Sequence, residues 1–242
     1  MAKNPDLSIV IPAYNEEKII QSTIAKVISY LKRKRFDWEI IVGDDGSKDR
    51  TSKIVGSVKD KKVRLVRLVK NRGKGAALRE GILNATGKYI IFMDADLSVP
   101  LENIEIFFNT LNKGADLAIA SRRVKGAKIL IHQPWYRETM GRVFTLLTQL
   151  VTGTDVADFT CGFKGFKKES AKKIFRASLI DRWAYDAEII FLAKKFGLKI
   201  REIPTVWKNR EDTRVRLKSV VLETFRDLLK IRWNDLSGKY EN

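Results

Sequence analysis

Tyr89-Ile90-Ile91-Phe92-Met93-Asp94-Ala95-Asp96 sets five apolar residues directly against two aspartates. An apolar run this short, built from β-branched and aromatic side chains, reads as a strand buried on both faces. Working outward, Leu7–Pro12, Trp38–Val42, Val63–Leu68 and Leu117–Ala120 read as further short strands, and Ile200–Val206 as a late one. Between them apolar residues recur at helical spacing. Ile19, Ile20, Ile24, Val27, Ile28 and Leu31 stripe a helix over Glu16–Lys34. Helices are also expected over residues 49–58, 75–84 and 100–111, from Lys168, over 186–196 and over Leu217–Trp233, with an apolar helix inside Lys125–Gly153. Alternating strands and helices predict an α/β fold, a mainly parallel Rossmann-like sheet flanked by helices. Ligands of such sheets bind outside the carboxyl ends of the strands. Tyr14-Asn15-Glu16, Asp44-Asp45-Gly46-Ser47 and Asp94-Ala95-Asp96 each follow a strand, so the periodicity alone sets them on one rim.

The residues on that rim have chemistry to offer. Asp94 and Asp96, one residue apart at a strand end, would point the same way and could hold a divalent cation through oxygen. The bland reading is two solvated turn aspartates. Asp44 and Asp45 open a strand-to-helix turn, where carboxylates can accept from a base N–H or a ribose hydroxyl; Ser47 and Asp49 suit a helix cap equally well. Asn71-Arg72-Gly73-Lys74-Gly75 precedes a helix. Its glycines let backbone approach a ligand, and Lys74 with the helix N-terminus suits an anion. It lacks the spacing and terminal Lys-Ser/Thr pair of a P-loop.

The 242 residues, 44% hydrophobic, suit one domain. One cysteine, Cys161, cannot form an internal disulfide, which suggests a reducing compartment and a buried thiol. His132 has no partner histidine for a metal. The start has no apolar signal region, and no stretch approaches the roughly 20 uninterrupted apolar residues that span a bilayer. The expectation is a protein that is soluble or lies on a membrane surface. The net charge of +18 attracts polyanions, whether nucleic acid, anionic lipid or phosphorylated substrates. The absence of zinc-ligand spacing and of an RNA-binding aromatic signature makes nucleic acid the weakest of these.

Four segments carry a resemblance when taken in order: Ile9-Val10-Ile11-Pro12-Ala13-Tyr14-Asn15-Glu16-Glu17, Asp44-Asp45-Gly46-Ser47-Lys48-Asp49-Arg50-Thr51, Asn71-Arg72-Gly73-Lys74-Gly75 and Asp94-Ala95-Asp96. Together the set resembles the family 2 glycosyltransferases of GT-A fold. The resemblance implies that Pro12, Tyr14, Glu16 and Asp45 line a nucleoside pocket, and that Asp94 and Asp96 carry Mg²⁺ or Mn²⁺ on a nucleotide-sugar diphosphate. Asp44 and Lys74 join them as candidate donor contacts. Asp158-Phe159-Thr160-Cys161-Gly162-Phe163-Lys164-Gly165-Phe166 and Arg182-Trp183-Ala184-Tyr185-Asp186-Ala187-Glu188 are similar to dolichyl-phosphate sugar synthases. The second run is closer to the dolichyl-phosphate β-glucosyltransferases than to the mannosyl enzymes. In the latter a glutamine able to complete the metal shell stands where this chain has Ser98.

On this resemblance residues 1–123 form a nucleotide-sugar half and 124–242 an acceptor half of one domain. The implied reaction is an inverting hexose transfer, UDP-glucose first and GDP-mannose second, to a polyprenyl or dolichyl phosphate. A phosphate acceptor is already anionic and needs cations rather than a base. Arg122 and Arg137 fit that role, because arginine grips phosphate through two N–H groups. Arg210 resembles a late basic residue at the donor diphosphate. Asp186 would recognise sugar hydroxyls or orient an arginine; a sugar-hydroxyl acceptor would instead make Asp186 or Glu188 the base. The basic amphipathic helix 217–233 and the apolar run Val143–Val151 suit a lipid interface, and point to a peripheral position on the cytoplasmic face of a membrane. A basic nucleic-acid-binding protein on the same scaffold is the competing reading from another class.

Overall fold

The computed structural model describes residues 4–132, 134–208 and 217–241, excepting the side chains of Arg137 and of residues 217–222. The strands are β1 (Leu7–Ala13), β2 (Trp38–Asp44), β3 (Val63–Arg67), β4 (Tyr89–Met93), β5 (Leu117–Ser121), β6 (Lys128–Ile131), β7 (Phe163–Lys167), β8 (Ile200–Pro204) and β9 (Val206–Lys208). The helices are α1 (Ile20–Leu31), α2 (Thr51–Gly56), α3 (Lys74–Asn84), α4 (Asn103–Asn112), α5 (Trp135–Thr152), α6 (Lys168–Ala177), α7 (Tyr185–Lys195) and α8 (Leu217–Leu236). Seven strands form one sheet in the order β3-β2-β1-β4-β7-β5-β8. The α/β architecture expected from the apolar runs is the observed one.

Both faces of the sheet are covered, which explains runs without polar alternation. Val10, Ile90 and Phe92 pack into one core with α3, α6 and α7, whereas Ile9, Ile11 and Ile91 pack into another with α1 and α4. The sheet is parallel except for β7, which runs antiparallel between β4 and β5. The sequence pattern around 159–166 does not disclose this direction. Its cause is the turn before the strand. Asp94 donates its backbone N–H to the Gly162 carbonyl at 3.1 Å, so the chain meets the rim first and then descends, with Phe163 opposite Met93. The Asp158–Gly162 turn is thereby delivered beside the Asp94–Asp96 segment.

The expected strand 200–206 divides at Thr205, after Pro204 ends the β8 ladder. β9 then pairs in parallel with β6 as a separate ribbon that the sequence pattern does not reveal. Among the described residues no helix is long and apolar enough to cross a membrane.

Candidate active site

The nucleotide-side rim is made of two loops laced together. Asn15, at φ 55°, donates its N–H to Ser47 Oγ at 2.9 Å, and its side chain accepts from Lys48 N at 2.9 Å. Glu16 N donates to Thr51 Oγ1 at 2.8 Å and Glu17 N to Asp49 Oδ2 at 3.1 Å. Pro12 is buried at the end of β1, opposite Gly43; Tyr14 stands 36% exposed above it, and Glu16 is half-buried beside it. These fixed loops leave Tyr14 as the open aromatic face of the rim.

Asp44 and Asp45 differ in role. Asp44 is fully buried and accepts from Ser47 N (2.9 Å), Ser47 Oγ (2.5 Å) and Ser52 Oγ, with Arg67 Nε at 3.5 Å. Asp44, expected as a donor contact, has its oxygens engaged by these loop groups. Asp45 reaches the glycine loop, accepting from Arg72 N and Gly73 N at 2.8 Å each and from Asn71 Nδ2 at 2.7 Å. Burial raises its pKa against the pull of those N–H groups. Asp45 thus ties the Asn71–Lys74 loop to the end of β2.

Asp94 and Asp96 lie just past β4, in a turn where Leu97 adopts φ 55°. Strand alternation therefore does not aim them; local contacts do. Asp96 accepts from Ser98 N at 2.9 Å and Ser98 Oγ at 2.6 Å, so Ser98 orients the carboxylate. Lys74, at the start of α3, sets Nζ 2.5 Å from Asp94 Oδ1. Burial opposes the Lys74 charge, but Asp94, Asp186 and Asp96 together outweigh it and hold the pKa above its ordinary value. A side chain at Gly162 would overlap the Asp94 carboxylate, so glycine there is what gives Asp94 its place. Two part-exposed carboxylates on a rim fit a hard divalent cation that takes its other ligands from diphosphate and water. Among the described residues no cluster of three acidic, cysteine or histidine side chains exists that could hold a metal alone. His132 pairs with Glu138 at 2.8 Å, and burial pushes the Cys161 thiol up to about 12.

Behind Asp94 lies a buried ion pair. Lys164 is fully buried and spends its ammonium on Phe159 O (2.8 Å), Cys161 O (2.9 Å) and Asp186 Oδ1 (2.5 Å). Burial raises the Asp186 pKa despite Lys164 and Lys74. Glu188, also fully buried, accepts from Leu179 N and Ile180 N at 2.9 Å each and from Tyr240 Oη at 2.7 Å. It is a structural clasp, not a group facing the rim. Glu188→Gln is therefore expected to lower stability by roughly 1–3 kcal/mol, read as a shifted urea midpoint, while kcat of the folded fraction stays within about threefold of wild type. A folded Glu188→Gln protein without activity would restore Glu188 as a base.

Arg122 is held more tightly than an exposed phosphate grip would be. Nε and Nη2 fork onto Asp158 at 2.7 and 2.8 Å, Nη2 also reaches Thr160 Oγ1 at 2.8 Å, and the guanidinium lies 5.1 Å over Trp207. Only its Nη1 donates to no described residue. Burial disfavours the Asp158 charge, but Arg122 outweighs it and keeps that pKa below the ordinary carboxylate value. Such a group stabilises the fold above its unfolded pKa and loses this as pH falls through the folded one. Arg122→Gln should cost about 3 kcal/mol near pH 7, and the gap between variant and wild-type urea midpoints should narrow in acid; a gap that widened in acid would contradict this pairing. Arg123 follows, bonded to Thr145 Oγ1 and to Ala157 O at 3.3 Å. Arg210 and the Arg137 side chain lie outside the described residues.

Residues 8–175 match the model of glycosyl transferase family 2. The chain belongs to that family. It is a glycosyltransferase of GT-A fold, as the resemblance implied. The dolichyl-phosphate beta-glucosyltransferase of Homo sapiens is 34% identical over 249 residues, covering 97% of this chain and 77% of the relative. That of Dictyostelium discoideum is 33% identical over 247 residues, covering 96% and 75%. Among solved structures, glucosyl-3-phosphoglycerate synthase from Mycobacterium tuberculosis, in complex with Mn²⁺, UDP and glucosyl-3-phosphoglycerate, superposes with TM-score 0.64 at 21% identity. It covers 94% of this chain and 80% of its own. At that identity the likeness shows the fold.

The candidate site holds three residues to which the sequence assigned no role. Gly162, Lys164 and Asp158 all sit in the quoted 158–166 motif. Their roles arise from contacts to Asp94, Asp186 and Arg122, which lie 22 or more residues away for the two ion pairs. A lysine flanked by apolar residues and glycine, in Phe163-Lys164-Gly165-Phe166, was the available signal that a buried partner existed.

Proposed function

We propose that this glycosyltransferase carries glucose from UDP-glucose to a polyprenyl phosphate of the dolichyl kind, with inversion at the anomeric carbon. The observation that carries this reading is the condition of the two carboxylates that could act as a base. Glu188 is sealed under backbone N–H groups, and Asp186 is claimed by Lys164. A sugar hydroxyl would need such a base; a phosphate monoester does not. The names of the relatives point the same way, and their glucosyl specificity favours UDP-glucose over GDP-mannose.

Pro12, Tyr14, Glu16 and Asp45 would shape the nucleoside pocket, with Asp45 acting through the loop it holds. Asp94 and Asp96 would anchor Mg²⁺ or Mn²⁺, and a solved neighbour was crystallised with Mn²⁺ and UDP. When bound, the ion neutralises charge on the departing nucleoside diphosphate. Lys74, drawn to Asp94 by its charge, stands at the α3 N-terminus where the diphosphate would lie. An acceptor phosphate oxygen bonds to the anomeric carbon as the bond to the nucleoside diphosphate breaks, its electron pair leaving with that group. Arg122 Nη1, with Arg137 and Arg210 as the resemblance assigns them, would hold the two phosphates. Asp186, kept close to Lys74 and Asp94 by Lys164, would meet the sugar hydroxyls.

The lipid requires an apolar landing. Trp135 is 79% exposed, Leu146 58% and Leu150 74% on α5, and Trp233 is 68% exposed on α8, which packs against α5. Arg142, Arg226, Lys230 and Arg232, on the same two helices, are exposed as well. This pattern supports a peripheral position on a membrane surface, which we assign to the cytoplasmic face. Leu146→Asp with Trp233→Asp should cut sedimentation with anionic vesicles at least fivefold, leaving turnover of a detergent-dispersed acceptor within about twofold. Unchanged sedimentation would remove the landing surface.

The acceptor reading is tested with dolichyl phosphate against dolichol, equal in chain length, in the same detergent. Product from the phosphate alone supports it; product from the alcohol, lost in Asp186→Asn, replaces it with hydroxyl transfer.

A further inference from the structure

The loop between α6 and α7 does more than join two helices. Glu188 fixes its Leu179 and Ile180 N–H groups. Asp181 binds Arg72 Nη2 at 2.9 Å and Arg79 Nη1 at 2.6 Å, and its carbonyl accepts from Ala76 N at 3.1 Å in the first turn of α3. The loop is thus pressed onto the glycine loop that Asp45 also holds. Gly73, at φ 125°, has no room for a side chain: a Cβ there would lie 2.5 Å from Asp181 O and 2.8 Å from Arg182 Cγ.

Arg182 rests its stem on this glycine, yet the loop does not need its charge, because Asp181, Arg72, Arg79 and Glu188 already fix it. The guanidinium is close enough to Asp45 to act on that carboxylate electrostatically. It is half exposed, and its one ion-pair partner among the described residues is Glu223 of α8, Nε to Oε1 at 3.3 Å. That single contact leaves both terminal nitrogens free of hydrogen bonds to described residues. A half-solvated, singly bonded arginine beside a glycine loop and a helix N-terminus is matched to a polyphosphate, which it can grip through two N–H groups.

We propose that Arg182 is a donor-binding residue, whose guanidinium leaves Glu223 to grip the diphosphate of the nucleotide-sugar. This rests on the donor reading above and adds a consequence to it: the lipid-side helix α8 and the nucleotide compete for one arginine. Whatever loosens Glu223 from Arg182 strengthens donor binding.

The test is UDP affinity by calorimetry, with Mn²⁺ and no acceptor. Arg182→Met should weaken UDP about tenfold, and Arg182→Lys, which keeps charge but loses the fork, should fall between it and wild type. Glu223→Gln should tighten UDP about threefold. All three should melt within about 2 °C of wild type. Opposite signs from the two sides of one ion pair are what a loop-bracing role cannot produce. Wild-type affinity in Arg182→Met, or weaker binding in Glu223→Gln, would overturn the proposal. A folded wild-type protein that binds no UDP would overturn the donor reading instead.

Discussion

Gly162→Ala should lose at least 100-fold in transfer while the protein remains folded. The added methyl would overlap Asp94 Oδ2 and lie 2.8 Å from Oδ1. One side must yield. The turn cannot easily retreat, because Gly162 O holds Asp94 N–H and the β7 ladder begins at the next residue, with Phe163 opposite Met93 and Lys164 opposite Phe92. The Asp94 carboxylate can swing, since it is part-exposed and otherwise held by the mobile end of Lys74. It therefore leaves the place where a cation and diphosphate would be gathered. A displacement of about 1 Å in a positioning group is enough for a 100-fold loss. The paired readouts are turnover and melting temperature. Turnover should collapse with a stability loss below about 2 kcal/mol, the lower range for strain introduced into a packed site. Full turnover in Gly162→Ala would mean that Asp94 is not needed where it stands.

Lys164→Met is expected to act in the opposite proportion, through the fold first. Three acceptors converge on one buried ammonium: two carbonyls and the Asp186 carboxylate. Methionine matches the stem but offers none of the three a donor in place of the ammonium. Stranding one partner of a buried pair costs about 3–5 kcal/mol, and each orphaned carbonyl adds to it. The loss should total about 5 kcal/mol, a large fraction of the stability of an ordinary domain. It is measured by urea denaturation near pH 7. Since burial already raises the Asp186 pKa, removing Lys164 should push it further up. The variant then keeps Asp186 protonated to higher pH and recovers stability as pH falls towards 5. A variant as stable as wild type at pH 7 would show the pair to be dispensable.

These two residues mark how far the sequence could be read. Tyr89–Met93 and Ile9–Ile11 announce buried strands because both of their faces meet helices, and a pattern of that kind is local. The rim follows from it, since Asp45 and Asp94 stand one residue past β2 and β4, which run parallel to β1 on its two sides. Direction and contact are different. Nothing in Phe163–Lys167 states that it runs antiparallel; the hydrogen bond from Asp94 across to Gly162 decides it. Asp44 and Asp45 are adjacent and chemically identical, yet Ser47 and Ser52 turn one inward while Arg72 and Gly73 draw the other to the glycine loop. Arg122 looked like a free cation because Asp158, its partner, lies 36 residues away. Glu188 could stand beside Asp186 as a base for a sugar-hydroxyl acceptor because its clasp on Leu179, Ile180 and Tyr240 exists only once α7 and Tyr240 have met. Local sequence thus discloses where the chemistry gathers, while tertiary partners decide which of several like residues is left to perform it.

The central claim is glucose transfer to a lipid phosphate from a site built on Asp94 and Asp96. It is tested most directly by following label from UDP-glucose, with GDP-mannose in parallel, into organic-extractable lipid, with dolichyl phosphate and Mn²⁺ supplied to the purified wild-type protein and to Asp96→Ala. The predicted result is labelled lipid from UDP-glucose, reduced at least 1000-fold in Asp96→Ala and released as glucose by mild acid. Lipid labelled equally by both proteins, or no labelled lipid while UDP-glucose remains bound, would contradict it.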